Sequence, residues 1–433
     1  MQGGEFVMNQ DAAVDHGGKA TKYRYWVALI LMITVGISYA DRVNISVLIA
    51  NDAFLDAMGI KGQAVQKGLI MSVFLFAYGF ANFILSPVAD ILGPRKAMCI
   101  AIGFWIASMF MGGIAQAFIV LLISRVLLGI GEGMQYPMSG LVVKNWFPKQ
   151  ERGRANAAWG VGTTLAPAMA MPLFSWIIAN MGWHDAFWIC MVLNFIPMYL
   201  IWSHTTDHPR DCKRVNALEL AYIEEGQAAD CGGKNTRVKE TLSQRLSGFI
   251  FNYRYWLLVI WYIGVMLIVW GLLTWLPSYL KSGRGFSWSE MGWLSSLPFI
   301  LGIGVKIFTG WAVDSTGKSG IFCILSTIGA GIGIYFSAIA TNNWVSAILI
   351  CLAQGFMYMG APASWTLLQG LVPEKSMSSA SGVMIGISTI AGALSPMIIG
   401  YFINLTGSYT GALYFLVAAA VASSVIMIPL AKR

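Results

Sequence analysis

Twelve apolar runs divide the chain, at 26–50, 68–90, 97–116, 119–142, 155–178, 186–203, 255–280, 289–313, 320–340, 344–367, 377–402 and 409–431. A bilayer core about 30 Å thick takes about twenty apolar residues per helical crossing. Within hydrocarbon every backbone N–H and C=O has to be bonded inside the spanning structure, so runs of this length read as helices. Composition agrees: 57% of the 433 residues are hydrophobic and 11% are charged, where soluble domains carry about a quarter charged. A soluble enzyme, a disulfide scaffold and a nucleic-acid module are excluded. The expected class is an all-α membrane protein with twelve transmembrane helices.

The net charge of +8 is topological. Of 28 Lys and Arg, three lie inside spans (Arg42, Arg125, Lys306), four in one set of alternate loops (Lys61, Lys67, Lys281, Arg284) and the remaining 21 in the other set. Cytoplasmic loops carry that excess, which places both termini and the long loop after Trp202 in the cytoplasm. No basic cluster carries interleaved aromatics, so no nucleic-acid partner is expected. The partition reads as a cytoplasmic tail (1–25), a six-helix bundle (26–203), a cytoplasmic linker (204–254) and a second six-helix bundle (255–433). Met1–Val7 resembles an expression remnant ahead of a start at Met8, and no cleavable signal peptide is present.

Several lookalike motifs fail on inspection. The six cysteines suggest no disulfide. His204, His208 and Cys212 have helical spacing but no fourth zinc ligand in register. Thr316-Gly317-Lys318-Ser319 lacks the upstream glycine of a phosphate loop, Ala312 standing in its place. Gly329, Gly331 and Gly333 lie inside an apolar span and read as helix packing. No cofactor, metal or nucleotide motor is expected.

The chain repeats itself. Asp90 and Gly93 recur as Asp314 and Gly317 at an offset of 224; Pro172 and Pro396 keep that offset, and Pro148/Pro373 and Gly182/Gly407 are 225 apart. Equivalent positions fall on the same side of the membrane, so the repeats are parallel, as in major facilitator halves that rock about a site near the bilayer midplane. The turn Asp90-x-x-Gly93-x-Arg95-Lys96 resembles the major facilitator loop signature, with a degraded copy at Asp314. Asp90, Arg95 and Asp314 are therefore candidate gating residues, forming a charge latch between neighbouring helices.

Ionisable groups at bilayer depth cost about 2.5–3.5 kcal/mol each on insertion scales, which makes them functional candidates. Asp41 and Arg42 lie in span 1, and Arg125 and Glu132 in span 4, two helical turns apart on nearly one face. Their formal charges sum to zero. Inert ion pairing is the bland account, but buried pairs add little stability over apolar packing. An arginine fork matches a carboxylate bidentately, and a neighbouring carboxylate can alternate between that arginine and a proton. Anion binding and protonation are then linked, which is symport. Lys306 reads as snorkelling toward the cytoplasmic end of span 8.

Tyr39-Ala40-Asp41-Arg42-Val43-Asn44, Arg125-Val126-Leu127-Leu128-Gly129-Ile130-Gly131-Glu132, Asn145-Trp146-Phe147-Pro148-Lys149-Gln150-Glu151-Arg152, Thr206-Asp207-His208-Pro209-Arg210 and Thr274-Trp275-Leu276-Pro277-Ser278-Tyr279-Leu280 together resemble the anion:cation symporter family of the major facilitator superfamily. The resemblance implies a monomeric secondary transporter of the bacterial inner (plasma) membrane, importing a sugar acid, aromatic acid or small carboxylate with protons. It implies that Arg42 grips the substrate carboxylate, Asp41 and Glu132 couple protons, and Arg125 modulates Glu132. Tyr78 would hydrogen-bond substrate, and Ser364 and Trp365 would line the second half.

Where sugar-acid members suggest amides, this chain has Thr163 and Ile385, which leans toward a less hydroxylated or aromatic carboxylate walled by Met134, Met357, Tyr358 and Met359. Gln135, Gln354 and Gln369 remain available for hydroxyls. A proton-coupled exporter or an uncoupled facilitator of the same fold is the alternative.

Overall fold

The computed structural model describes residues 20–85, 92–231, 247–373 and 376–431. Twelve helices among them are long and apolar enough to cross a membrane: α1 Tyr23–Leu48, α2 Ala64–Asn82, α3 Pro94–Gly113, α4 Phe118–Trp146, α5 Lys149–Asn180, α6 Trp183–His204, α7 Tyr253–Gly283, α8 Trp288–Thr316, α9 Ser319–Ile339, α10 Asn343–Leu371, α11 Ser379–Thr406 and α12 Thr410–Leu430. Each overlaps one apolar run. α5 begins six residues before its run because its opening stretch, Lys149–Arg154, is polar. Apolarity alone cannot register such a stretch. An even number of crossings puts both chain ends on one side, called the termini end below.

Local signals set the helix limits. Ser287 and Glu290 form a reciprocal capping box at the start of α8, and Asn342 accepts from Trp344 N (2.9 Å) and Val345 N (3.2 Å) at the start of α10. The repeat is visible in the backbone. Gly93 and Gly317 both have positive φ (79° and 65°), as do Gly182 and Gly407 (121° and 66°), so each equivalent turn uses a conformation that glycine tolerates best. Gly317 is the left-handed cap of α8, which gives the phosphate-loop lookalike a purely structural role.

α1, α3, α4, α5 and α6 pack around one another with α2 against α4, and α7, α9, α10, α11 and α12 form the corresponding set with α8. At the end opposite the termini the two sets meet. Ser175 Oγ donates to Trp288 O (2.8 Å), Ser278 Oγ to Ile49 O (3.2 Å) and Ala64 N to Asn404 Oδ1 (3.0 Å). That end is closed.

α10 and α11 tighten locally near their middles, where Tyr358 N bonds Gly355 O (3.2 Å), Met359 N bonds Phe356 O (3.0 Å) and Leu394 N bonds Ala391 O (3.1 Å), the backbone staying right-handed helical. At the termini end, Arg24 bridges Glu151 (2.8 Å) and Glu219 (3.0 Å), which ties α1 to the start of α5 and to the linker helix Ala217–Cys231.

Candidate functional site

Glycines in α4 position the charged group. A Cβ on Gly133 would stand 2.6 Å from Tyr78 O, and one on Gly131 2.6 Å from Ala101 O. Glycine at these places lets α4 press its backbone against α2 on one face and α3 on the other. Glu132 is thereby fully buried between them, with Tyr78 close by.

Across from α4, Arg42 of α1 donates from Nε directly to Glu132 Oε2 in a buried ion pair. Its guanidinium carbon lies 4.4 Å from the Tyr39 ring centroid, 4.9 Å from Tyr78, 5.6 Å from Phe74 and 6.0 Å from Trp270. Aromatic faces attract a cation, and these walls hold the fork in place. Tyr39 and Tyr136 share a 2.9 Å hydroxyl contact that extends the wall to α4. Arg42 Nη2 and Glu132 Oε1 have no hydrogen-bond partner among the described residues. The pair thus keeps unused bonding capacity on both sides.

Asp41 points elsewhere, as adjacent helical positions must. Asn194 Nδ2 of α6 donates to its Oδ2 at 2.8 Å, while Oδ1 has no partner among the described residues. Arg125 is buried with its guanidinium carbon 5.4 Å from the Phe187 ring centroid, and its Nε and Nη2 are unpartnered. Arg125 acts electrostatically on both Asp41 and Glu132. The four charges thus form two subsites, Arg42–Glu132 and Asp41–Asn194, with Arg125 acting on both.

Ser364 is buried and donates to Ala361 O (3.0 Å) within its own helix, and Trp365 is 36% exposed. Neither has a hydrogen bond, ion pair or ring contact to the four charges among the described residues. Thr163 Oγ1 donates to Gly160 O (2.8 Å) and accepts from Lys306 Nζ (3.4 Å). Ile385 is half-buried on α11.

Of the gating candidates, Asp90 lies outside the described residues. The Arg95 side chain reaches Trp202 O and stacks 4.6 Å over the Trp202 ring, while its backbone N–H donates to Asp207 Oδ1 (2.8 Å). Asp207 thus caps the start of α3. Asn145 Nδ2 and Trp146 Nε1 bind the carbonyls of Asp207 and Thr206, both at 2.9 Å. Asp314 is exposed, with no ion pair among the described residues. The helix carrying His204 ends there, so the zinc-like spacing through His208 and Cys212 does not fall on one helix face; no cluster of three or more potential metal ligands exists among the described residues.

Asn194, Tyr39 and Trp270 were not singled out from sequence. A search for charges passes over amides, although Asn194 is a polar residue in the middle of an apolar span. Tyr39 precedes Arg42 by three positions, hence on its face. Trp270 carried no local signal.

Residues 31–396 match the Major Facilitator Superfamily model. The chain is 30% identical to the Probable galactarate/D-glucarate transporter GudP of Bacillus subtilis (strain 168), over 95% of this chain and 92% of that protein. It is 27% identical to the Probable galactarate/D-glucarate transporter GarP of Escherichia coli (strain K12), over 95% of each. A crystal structure of a bacterial homologue of the human lysosomal transporter Spinster, inward-facing and unoccupied, superposes with a TM-score of 0.75 at 17% identity, covering 95% of this chain and 96% of that one. Family match, relatives and twelve-helix fold agree: the chain belongs to the Major Facilitator Superfamily.

Proposed function

We propose that the chain is a secondary transporter that imports an organic carboxylate, a sugar acid, with protons by alternating access. The observation that carries this reading is the buried Arg42–Glu132 pair inside its aromatic walls. An incoming carboxylate competes with Glu132 for the Arg42 fork. Once displaced, Glu132 is a lone carboxylate at bilayer depth, where the neutral acid is the tolerable form. Substrate binding and proton uptake are thereby linked. Asp41, held by Asn194 beside Arg125, is the second proton-coupled carboxylate. Tyr78 and the unpartnered indole N–H of Trp270 are hydrogen-bond donors beside Arg42. Thr163 of the first half and Ser364 and Trp365 of the second line the path.

The names of the relatives, both galactarate/D-glucarate transporters, favour a sugar acid over the less hydroxylated acid suggested by Thr163 and Ile385. The basic-loop bias favours a cytoplasmic termini end in a bacterial inner membrane. Closure at the far end then makes this an inward-facing arrangement, with Arg95, Asp314 and Asp90 as gating elements on the cytoplasmic side.

A thermal-shift screen of the purified protein against sugar acids, aromatic acids and small carboxylates tests the substrate class, since a binder raises stability by mass action. Stabilisation by sugar acids alone is expected. Stabilisation by aromatic acids with no sugar-acid response would replace the substrate class.

A further inference from the structure

Lys306 is the one intramembrane charge among the described residues that the reading above does not use. It is not at a helix end. Ten residues separate it from Thr316, about 15 Å of helix. Its ammonium lies between the halves, 3.4 Å from Thr163 Oγ1 on α5 and 4.9 Å from the Tyr358 ring centroid on α10. No carboxylate pairs with it among the described residues. A cation at this depth normally has a partner, and neither a hydroxyl nor a ring face neutralises it.

Tyr39 walls the Arg42 fork as Tyr358 walls the Lys306 ammonium. Arg42 lies nineteen residues beyond Tyr23, about 28 Å from the termini end, so the two cations differ in depth by about 13 Å. Side chains lean toward the N-terminus of their helix. α1 begins at the termini end and α8 at the far end, so Arg42 and Lys306 lean toward each other. A six-carbon chain, about 6 Å end to end at about 1.5 Å per bond, is shorter than that depth difference, and the long Arg42 and Lys306 side chains make up the rest.

Formal charge agrees. Asp41, Arg42, Arg125 and Glu132 sum to zero, and Lys306 makes the total +1. Protonation of the displaced Glu132 raises it to +2, which a dicarboxylate cancels and a monocarboxylate does not. We infer that Lys306 is a substrate-binding residue that takes the distal carboxylate of a dicarboxylic sugar acid whose other end is held by Arg42. This rests on the sugar-acid reading above and adds the second anchor and the charge of the substrate.

The test compares galactarate, with a carboxylate at each end, and galactonate, with one, for binding to the purified full-length protein and to Lys306→Gln and Lys306→Arg. The intact protein is expected to bind galactarate about tenfold more tightly or better, as a charge-assisted contact provides. Lys306→Gln is expected to lose that preference while its galactonate affinity stays within about twofold, which also shows that the variant is folded. Lys306→Arg is expected to keep the preference. An undiminished preference in Lys306→Gln, or its loss in a Lys306→Arg protein that still binds galactonate, overturns the assignment; so does equal affinity for the two acids in the intact protein. Binding of neither acid by the intact protein defeats the sugar-acid reading itself.

Discussion

Asn194 of α6 donates a 2.8 Å hydrogen bond to Asp41 Oδ2 of α1, and it is the described residue that fixes this carboxylate in the membrane interior. Asn194→Leu keeps the bulk but leaves a buried acceptor unpaired, at a cost of about 1–3 kcal/mol. Proton-driven uptake is expected to fall about tenfold or more, with substrate binding nearly unchanged because Arg42 is untouched. Parallel uptake and equilibrium-binding measurements check the split.

Glu132 competes with substrate for Arg42. Glu132→Gln removes that competitor's charge, so binding at neutral pH is expected to tighten several-fold and to lose its dependence on pH, while uphill uptake disappears. Titration calorimetry at acidic and neutral pH reads the first effect, and proteoliposome uptake reads the second. Unaltered pH dependence of binding would move the linked proton away from Glu132.

Arg42→Lys retains the charge but loses the planar fork and its stacking on Tyr39 and Tyr78. Substrate affinity is expected to drop about tenfold or more, measured by calorimetry. An unchanged affinity would shift the carboxylate grip to Arg125.

Gly133 lets α4 approach α2 at Tyr78. Gly133→Ala inserts a methyl group 2.6 Å from Tyr78 O and is expected to destabilise the protein by about 1–3 kcal/mol. Gly140→Ala, with nothing within 4 Å of the added carbon, is the control and is expected to unfold like the parent. Thermal unfolding in detergent compares the two.

Much of this was legible in the chain before any coordinates. Length and apolarity of the runs locate all twelve helices, because hydrocarbon permits few alternatives. The repeat is legible because its glycines, Gly93/Gly317 and Gly182/Gly407, mark turns that need positive φ. The four charges stand out because bilayer depth makes them costly. Their pairing does not: spacing along α4 joined Arg125 to Glu132, whereas the meeting of α1 with α4 pairs Glu132 with Arg42, and packing across helices is not encoded in spacing within one. The same limit hides Asn194, and it conceals that Lys306, an unremarkable lysine by position, meets Thr163 of the first half and Tyr358 of its own. Nor does the sequence show that the Arg95 backbone N–H is capped by Asp207, more than a hundred residues away.

Proton coupling through Asp41 is the central claim. The most direct measurement is sugar-acid uptake into proteoliposomes under an imposed pH gradient, comparing the intact protein with Asp41→Asn. The account predicts accumulation that requires the acidic side outside, abolished by Asp41→Asn while substrate exchange without a gradient persists. Uphill accumulation retained by Asp41→Asn, or accumulation by the intact protein that ignores the gradient, would contradict it.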